Sequence, residues 1–221
     1  VERHARSVLS ISGTSKRSKV IFIINPVSGV RSRSFEAFSR KLRSIIDTGI
    51  YDLDFRMTEA PGHGRKICRE ELEKGTGIFV AVGGDGTLNE VASQLVGRDA
   101  VLGIIPAGSG NGLANHLGIP RDITASAALL NKGKTMRIDT CMVNDTFFVS
   151  IAGLGFDARV ARQFARTSSR GFMTYARIAL REYFSYRPHE YRLEVDGRTM
   201  DVSAFFISFA NSNQFGYNTR I

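Results

Sequence analysis

The chain has 221 residues, room for one or two domains at roughly 100–200 residues each. Its 43% hydrophobic content excludes wholesale disorder, and no apolar run approaches the ~18–20 residues that span a bilayer. A formal charge of +9 favours an anionic partner, whether phosphates, nucleic acid or an acidic membrane surface. Cys68 and Cys141 stand far apart and outside any metal-ligand spacing, so two thiols in a reducing compartment fit better than a disulfide.

Residues 1–18 carry Arg3, Arg6, Lys16 and Arg17 against Glu2 alone and are rich in serine. They are predicted to form a flexible basic leader, and they lack the apolar centre of a signal peptide. The pattern then becomes regular. Val20-Ile21-Phe22-Ile23-Ile24 is a short continuous apolar run, as in a strand buried on both faces. Phe35, Phe38, Leu42, Ile45 and Ile46 recur at helical spacing, and Tyr51, Leu53, Phe55 and Met57 alternate as a strand does. A helix is predicted around 62–73, a strand over 78–82, a helix after Thr87 and a strand over 101–105. Strands alternating with helices give a parallel sheet, and ligands gather at the carboxyl ends of its strands. The loops 25–29, 83–87 and 106–112 all lie there.

After about residue 133 the character changes. Met136, Ile138, Phe147, Phe148, Val149 and Ile151 sit in two β-type runs joined near the turn pair Asn144-Asp145. Tyr191 to Val195 alternate up to the hairpin pair Asp196-Gly197, and the run from Val202 to Phe209 is predicted to pair back. The expected fold is α/β: a Rossmann-like parallel-sheet nucleotide domain over 19–132, followed by an incomplete antiparallel β-sandwich domain over 133–221.

The stretch Gly83-Gly84-Asp85-Gly86-Thr87 lies between a predicted strand and a predicted helix. Without Cβ atoms, Gly83, Gly84 and Gly86 can take positive φ and let phosphate oxygens reach backbone N–H groups. The helix adds its own unpaired N-terminal donors. A carboxylate in such an anion site makes sense if Asp85 holds a Mg²⁺ ion or takes a proton from an attacking hydroxyl. The plainer reading is a tight turn in which Asp85 caps the helix.

Asn25-Pro26-Val27-Ser28-Gly29, the loop Gly83 to Thr87, and Pro106-Ala107-Gly108-Ser109-Gly110-Asn111-Gly112-Leu113-Ala114 together resemble the catalytic domain of the diacylglycerol kinase family. That family includes bacterial lipid kinases and the related sphingosine and ceramide kinases. Thr58 with His63 is similar to its T-x₄-H element, and Gly153 to Ala158 to its G-x-G-F-D-A element. The resemblance runs from about residue 20 to 209. It implies an ATP- and Mg²⁺-dependent lipid kinase that transfers the γ-phosphoryl group to the hydroxyl of a diacylglycerol-like lipid at a membrane surface. A cytoplasmic, peripherally membrane-associated protein is then expected, with no nucleic-acid partner, and a homodimer is allowed.

Carried over by position, Asn25, Gly29, Thr58, Gly83, Gly84, Gly86, Thr87, Glu90, Gly108, Ser109, Gly110 and Asn111 would bind the nucleotide. Asp85 would serve as catalytic residue and metal ligand. Asp157, in a glycine-flanked setting, with Arg159 and Arg162, would face the acceptor. Two alternatives stay open: an NAD kinase sharing the GGDGT site, and a non-catalytic nucleotide- or membrane-binding module. The family's downstream acidic motif, which contains a Glu, has no counterpart here, so the 221 residues are expected to be a fragment. Sphingosine kinases carry an acidic residue just after the region of Asp157; Arg159 and Val160 lean away from an amino-alcohol lipid.

Arg159, Arg162, Arg166, Arg170, Arg177 and Arg181 would share an arc of roughly 100° on one continuous helix. They could meet ATP phosphates or anionic headgroups, or form an ordinary solvated face. Thr167, Ser168, Ser169 and Gly171 are predicted to break that helix and split the stripe. His63 reads equally as a site residue or a turn, and His116 as structural.

Overall fold

The structure, a computed structural model, describes residues 17–28, 34–167 and 171–212. Most of the predicted leader, Gly29 and Arg170 lie outside the described residues. Four parallel strands, β1 (Ser18–Ile24), β2 (Tyr51–Met57), β3 (Ile78–Gly83) and β4 (Val101–Pro106), form a sheet in the order β2-β1-β3-β4. Both faces are covered, which is why β1 and β3 read as unbroken apolar runs. Val20, Phe22 and Ile24 point to one side, with Leu53, Val80 and Val82, and meet Phe38 and Leu42 of α1 (Phe35–Ile45) and Ala127 of α5 (Ile123–Ala128). Ile21 and Ile23 point to the other side, with Phe79 and Ala81. They meet Ile67 and Cys68 of α2 (His63–Glu73) and Leu88, Val91 and Leu95 of α3 (Asp85–Leu95).

The chain passes from β1 outward to β2, then returns to the far side of β1 as β3. The order therefore reverses between β1 and β3, the place where open α/β sheets bind ligands beyond their carboxyl ends. Asn25 follows β1 and Gly84 follows β3, so this fold juxtaposes them.

The remaining strands are antiparallel. β5 (Cys141–Val143) and β6 (Thr146–Phe148) form a hairpin, with Asn144 at φ 49° in its turn. β8 (His189–Val195) and β9 (Arg198–Ala204) form another. Its turn residues Asp196 (φ 51°) and Gly197 (φ 72°) supply the two positive φ angles that a two-residue hairpin requires. β7 (Ile151–Gly155) pairs with β10 (Phe206–Ala210). Two expectations need correction. The run from Val202 to Phe209 is not one strand: it breaks at Phe205, whose carbonyl accepts the Phe156 N–H at 3.0 Å, and β10 leaves β9 to pair with β7. Met136 and Ile138 lie outside any strand and are exposed.

The predicted helix break holds: α6 (Phe156–Ala165) and α7 (Phe172–Tyr183) are separate helices, joined by a Phe164–Tyr175 ring contact at 5.7 Å. The antiparallel part is tied to the sheet by side-chain amides. Asn89 of α3 donates to the Phe147 carbonyl at 3.1 Å. Asn211 donates to the carbonyls of Asp139 and Val149 at 2.7 and 3.0 Å. Val149 itself packs into the α2–α3 core. Among the described residues no helix is long and apolar enough to cross a membrane.

Candidate active site

α3 begins at Asp85, so three of the five GGDGT residues are already helical, and its N-cap Gly84 is extended (φ −94°, ψ −171°). None of Gly83, Gly84 and Gly86 has a positive φ. The expectation that these glycines serve by backbone freedom is therefore corrected: two of them serve by having no side chain. A Cβ on Gly83 would stand 2.6 Å from Thr87 Oγ1, and one on Gly84 would stand 3.2 Å from the Gly108 Cα. A Cβ on Gly108 would run into the backbone of Gly84. The two glycine loops thus lie back to back, with Ala107 N–H donating to the Gly83 carbonyl at 2.9 Å. Nothing lies within 4 Å of where a Cβ of Gly86 would be, so that face of α3's first turn is open.

The plainer reading, in which Asp85 caps its own helix, is not what the structure shows. α4 (Gly112–His116) starts after Asn111, which adopts the left-handed conformation at φ 56°. The backbone N–H groups of Gly112, Asn111 and Leu113 at this start, with that of Asp85 itself, face the Asp85 carboxylate and favour its charged form. One helix carries the acid and the N-terminus of another receives it. Its Oδ1, however, is buried with no hydrogen-bond partner among the described residues. Burial pushes the Asp85 carboxyl above the usual carboxylate range, and the backbone N–H groups pull against that rise.

The surrounding groups are fixed by short contacts. The Asn111 amide closes on Gly108, accepting from its N–H at 3.0 Å and donating to its carbonyl at 2.7 Å. The Gly110 carbonyl accepts from Asn115 Nδ2 at 3.1 Å and from Arg121 at 3.2 Å. Ser109 is left exposed at the loop's tip. Asn25 donates to the buried Thr87 hydroxyl at 3.1 Å, and its Oδ1 accepts the Val27 N–H at 3.0 Å. Thr58 is pinned to the end of β1, its N–H donating to the Ile24 carbonyl at 2.8 Å. Glu90 turns to α2 and accepts the N–H groups of Gly62 and Gly64 at 2.8 and 3.1 Å. It caps a helix whose N-cap, Gly62, has no side chain to do so. His63 accepts the Glu59 N–H through Nδ1 at 3.1 Å.

Asn25, Thr58, Gly83, Gly84, Asp85, Gly86, Thr87, Gly108, Ser109, Gly110 and Asn111 are thus gathered at the carboxyl ends of the sheet strands, while Glu90 supports them from one turn further along α3. Asp157, Arg159 and Arg162 form a separate group on α6. Asp157 accepts the Ala158 N–H at 2.7 Å, and burial raises its carboxyl above the usual range. Arg159 is occupied: its Nε donates to Glu182 at 2.6 Å, and its guanidinium lies 5.8 Å from the Tyr186 ring centre. Arg162 is exposed. Sequence reasoning missed Arg121 and Asn115, which hold the second glycine loop, and Glu182, which claims Arg159. It also missed that the α4 N-terminus is filled by Asp85. The Asn before an apolar run signalled a helix start there; no local pattern signalled what would fill it.

A parallel sheet reversing between β1 and β3, with two interlocked glycine loops and a half-buried acid at that point, defines a Rossmann-like α/β protein. Residues 19–143 match the diacylglycerol kinase catalytic domain, and residues 150–221 match the YegS C-terminal NAD kinase beta sandwich-like domain. The chain belongs to the diacylglycerol kinase catalytic-domain family. It is 30% identical over 210 residues to the diacylglycerol kinase of Bacillus subtilis, covering 89% of this chain and 66% of that one. It is 31% identical over 175 residues to a Klebsiella pneumoniae protein named "Probable lipid kinase YegS-like", covering 77% and 59%. An uncharacterized Synechocystis protein is 30% identical over 218 residues, covering 94% and 50%. The chain therefore spans about half to two thirds of the length of these curated relatives. The crystal structure of a diacylglycerol kinase from Bacillus anthracis superposes with a TM-score of 0.66 at 23% identity, covering 90% of this chain and 66% of that one, and shares its fold.

Proposed function

We propose that the protein acts as an ATP- and Mg²⁺-dependent lipid kinase, moving the γ-phosphoryl group of ATP to the hydroxyl of a diacylglycerol-like lipid. The observation that carries this reading is the Asp85 carboxylate: half-buried, set against the backbone N–H groups at the start of α4, and with its buried Oδ1 unpaired among the described residues, beside the open first turn of α3. A buried anion without a full set of donors is destabilising unless a cation or a proton donor completes it.

Both groups fit the residues present. Among the described residues no cluster of three or more His, Cys, Asp or Glu side chains could hold a metal alone. That suits a Mg²⁺ ion bound by one carboxylate plus nucleotide phosphates, and Asp85 would hold it. Bound there, it would neutralise charge on the transferring phosphoryl group. The chain's own residues supply position. The N–H groups of Gly86 and Thr87, in the first turn of α3, have no intrahelical acceptor and face incoming phosphate oxygens. Exposed Ser109 offers a hydroxyl at the facing loop, and Asn25 keeps the Thr87 hydroxyl in place. The raised carboxyl of Asp85 is also suited to accept the proton of an attacking alcohol.

The test incubates the complete gene product with γ-phosphate-labelled ATP, Mg²⁺ and mixed micelles of diacylglycerol, sphingosine, ceramide or phosphatidylglycerol in turn, with NAD as a soluble control. Label entering diacylglycerol, and lost in Asp85→Asn, is the expected result. Label entering NAD alone overturns the reading in favour of an NAD kinase, the second reading suggested by the name of the matched C-terminal domain. Nucleotide binding with no label in any acceptor favours the binding module.

A further inference from the structure

The proposed reaction makes no use of His63, yet one end of its ring is fixed. Nδ1 accepts the Glu59 N–H at 3.1 Å. A ring nitrogen that accepts carries no proton, so the neutral imidazole holds its proton on Nε2, at the end away from Glu59. His63 is half-buried, and among the described residues Nε2 has no partner.

Two sets of contacts bring this donor to the start of α3. On one side, Glu90 accepts the N–H groups of Gly62 and Gly64, the neighbours of His63 in the chain, at 2.8 and 3.1 Å. Helical side chains lean over the turn that precedes them. Glu90 therefore reaches along α3 toward Gly86, four residues back, and α2 begins beside the open first turn of α3. On the other side, Glu59 follows Thr58, whose N–H and hydroxyl meet the Ile24 carbonyl at 2.8 and 3.4 Å. The residue after Ile24 is Asn25, which donates to the Thr87 hydroxyl at 3.1 Å. His63 thus stands where the ends of β1 and β2 meet α3, with Glu90 separating it from the face proposed to receive phosphate.

That separation selects the part of the nucleotide. The Glu90 carboxylate repels phosphate oxygens on its side of α3. A neutral N–H donor beside it suits an uncharged acceptor, an oxygen or nitrogen of the ribose or base. We propose that His63 holds the nucleoside part of ATP through Nε2–H, while the Glu59 N–H on Nδ1 keeps the ring in that tautomer. This deepens the nucleotide half of the kinase reading and rests on it.

Two amide substitutions separate the ends of the ring. Asparagine places its carbonyl oxygen where Nδ1 stands, so it keeps the Glu59 bond and loses the far donor. Glutamine carries its amide N–H₂ to the place of Nε2 and loses the near acceptor. A ring that only closes the turn from Glu59 to His63 is replaced better by asparagine; a ring that holds a nucleoside is replaced better by glutamine. The complete gene product is loaded with a fluorescent ATP analogue, which is then competed with ATP, adenosine or inorganic tripolyphosphate. His63→Asn is expected to weaken ATP and adenosine about three- to tenfold, the worth of one hydrogen bond. Tripolyphosphate binding and the melting temperature are expected to stay as in the parent, and His63→Gln to recover most of the loss. Asparagine binding adenosine as the parent does, glutamine binding it worse than asparagine, or an equal loss for tripolyphosphate overturns the proposal. So does a ¹⁵N spectrum of the parent in which Nδ1 carries the ring proton. A parent that binds no nucleotide overturns the nucleotide reading as well. Adenosine held through His63 with no lipid phosphorylated upholds the contact and sinks the kinase.

Discussion

Asp85 lies against the N–H groups at the start of α4, and its buried Oδ1 has no donor among the described residues. An Asn there keeps an oxygen for those donors and removes the charge. Asp85→Asn is therefore expected to gain about 1 kcal/mol of stability at neutral pH, seen as a melting rise of roughly 2–4 °C. Phosphoryl transfer should fall by about 10²–10⁴-fold in the same protein. Because the folded carboxyl sits above its ordinary ~3.9, the unfolded chain loses this proton first. Stability from this group thus falls as pH rises from there to the raised folded value, so the variant's advantage should vanish in acid.

Glu71 behaves oppositely. Burial works to raise its carboxyl, but hydrogen bonds from Lys19 (2.6 Å) and Lys74 (2.8 Å) outweigh burial and hold it below the usual range. Its contribution is present above the ordinary ~4.3 of a glutamate and is lost as pH falls through the lower folded value. Glu71→Gln should cost about 2 kcal/mol at pH 7, measured by urea unfolding. In strong acid the two proteins should converge. Neither environment was legible in the sequence. GGDGT announced that Asp85 mattered, yet its partners come from a loop more than twenty positions on, and Glu71 looks like any helix glutamate.

At the scale of elements, the back-to-back glycine loops yield a contrast between two substitutions of one kind. Gly108→Ala has no room against Gly84 and should cost about 1–3 kcal/mol by overpacking. Gly86→Ala meets open space within α3 and should gain up to about 1 kcal/mol, while filling the face proposed to receive phosphate. Thermal melts beside titration with a fluorescent ATP analogue would show both proteins losing nucleotide affinity, one destabilised and one stabilised. A Gly86→Ala protein with full affinity would remove that turn from the site. The elements around these loops were readable because burial on both faces of β1 and β3 leaves an unbroken apolar run, and Asp196-Gly197 spells its turn. The break at Phe205 was not readable. Alternation shows that residues are extended but not which strand they join, and Val202 to Phe209 serves two partners. The run around Met136 and Ile138 misled for a related reason: apolar residues need not be inside.

Across the whole molecule, Cys68 offers a reporter. It is fully buried between α2 and α3, and burial pushes its thiol up to about 12, whereas Cys141 is only half-buried. One thiol should react with a disulfide reagent in the native protein and two in denaturant. The slow second reaction would measure opening of the α2–α3 core. Two thiols reacting at equal rates would contradict this packing. The pairing of β7 with β10 also sets an order in time. The parallel sheet has all its strands once β4 has emerged from the ribosome, but β7, which leads directly into Asp157 and α6, must wait for the last described strand. During synthesis the parallel-sheet half can therefore fold first. The antiparallel half, which carries α6 and α7, gains its closing strand last among the described elements.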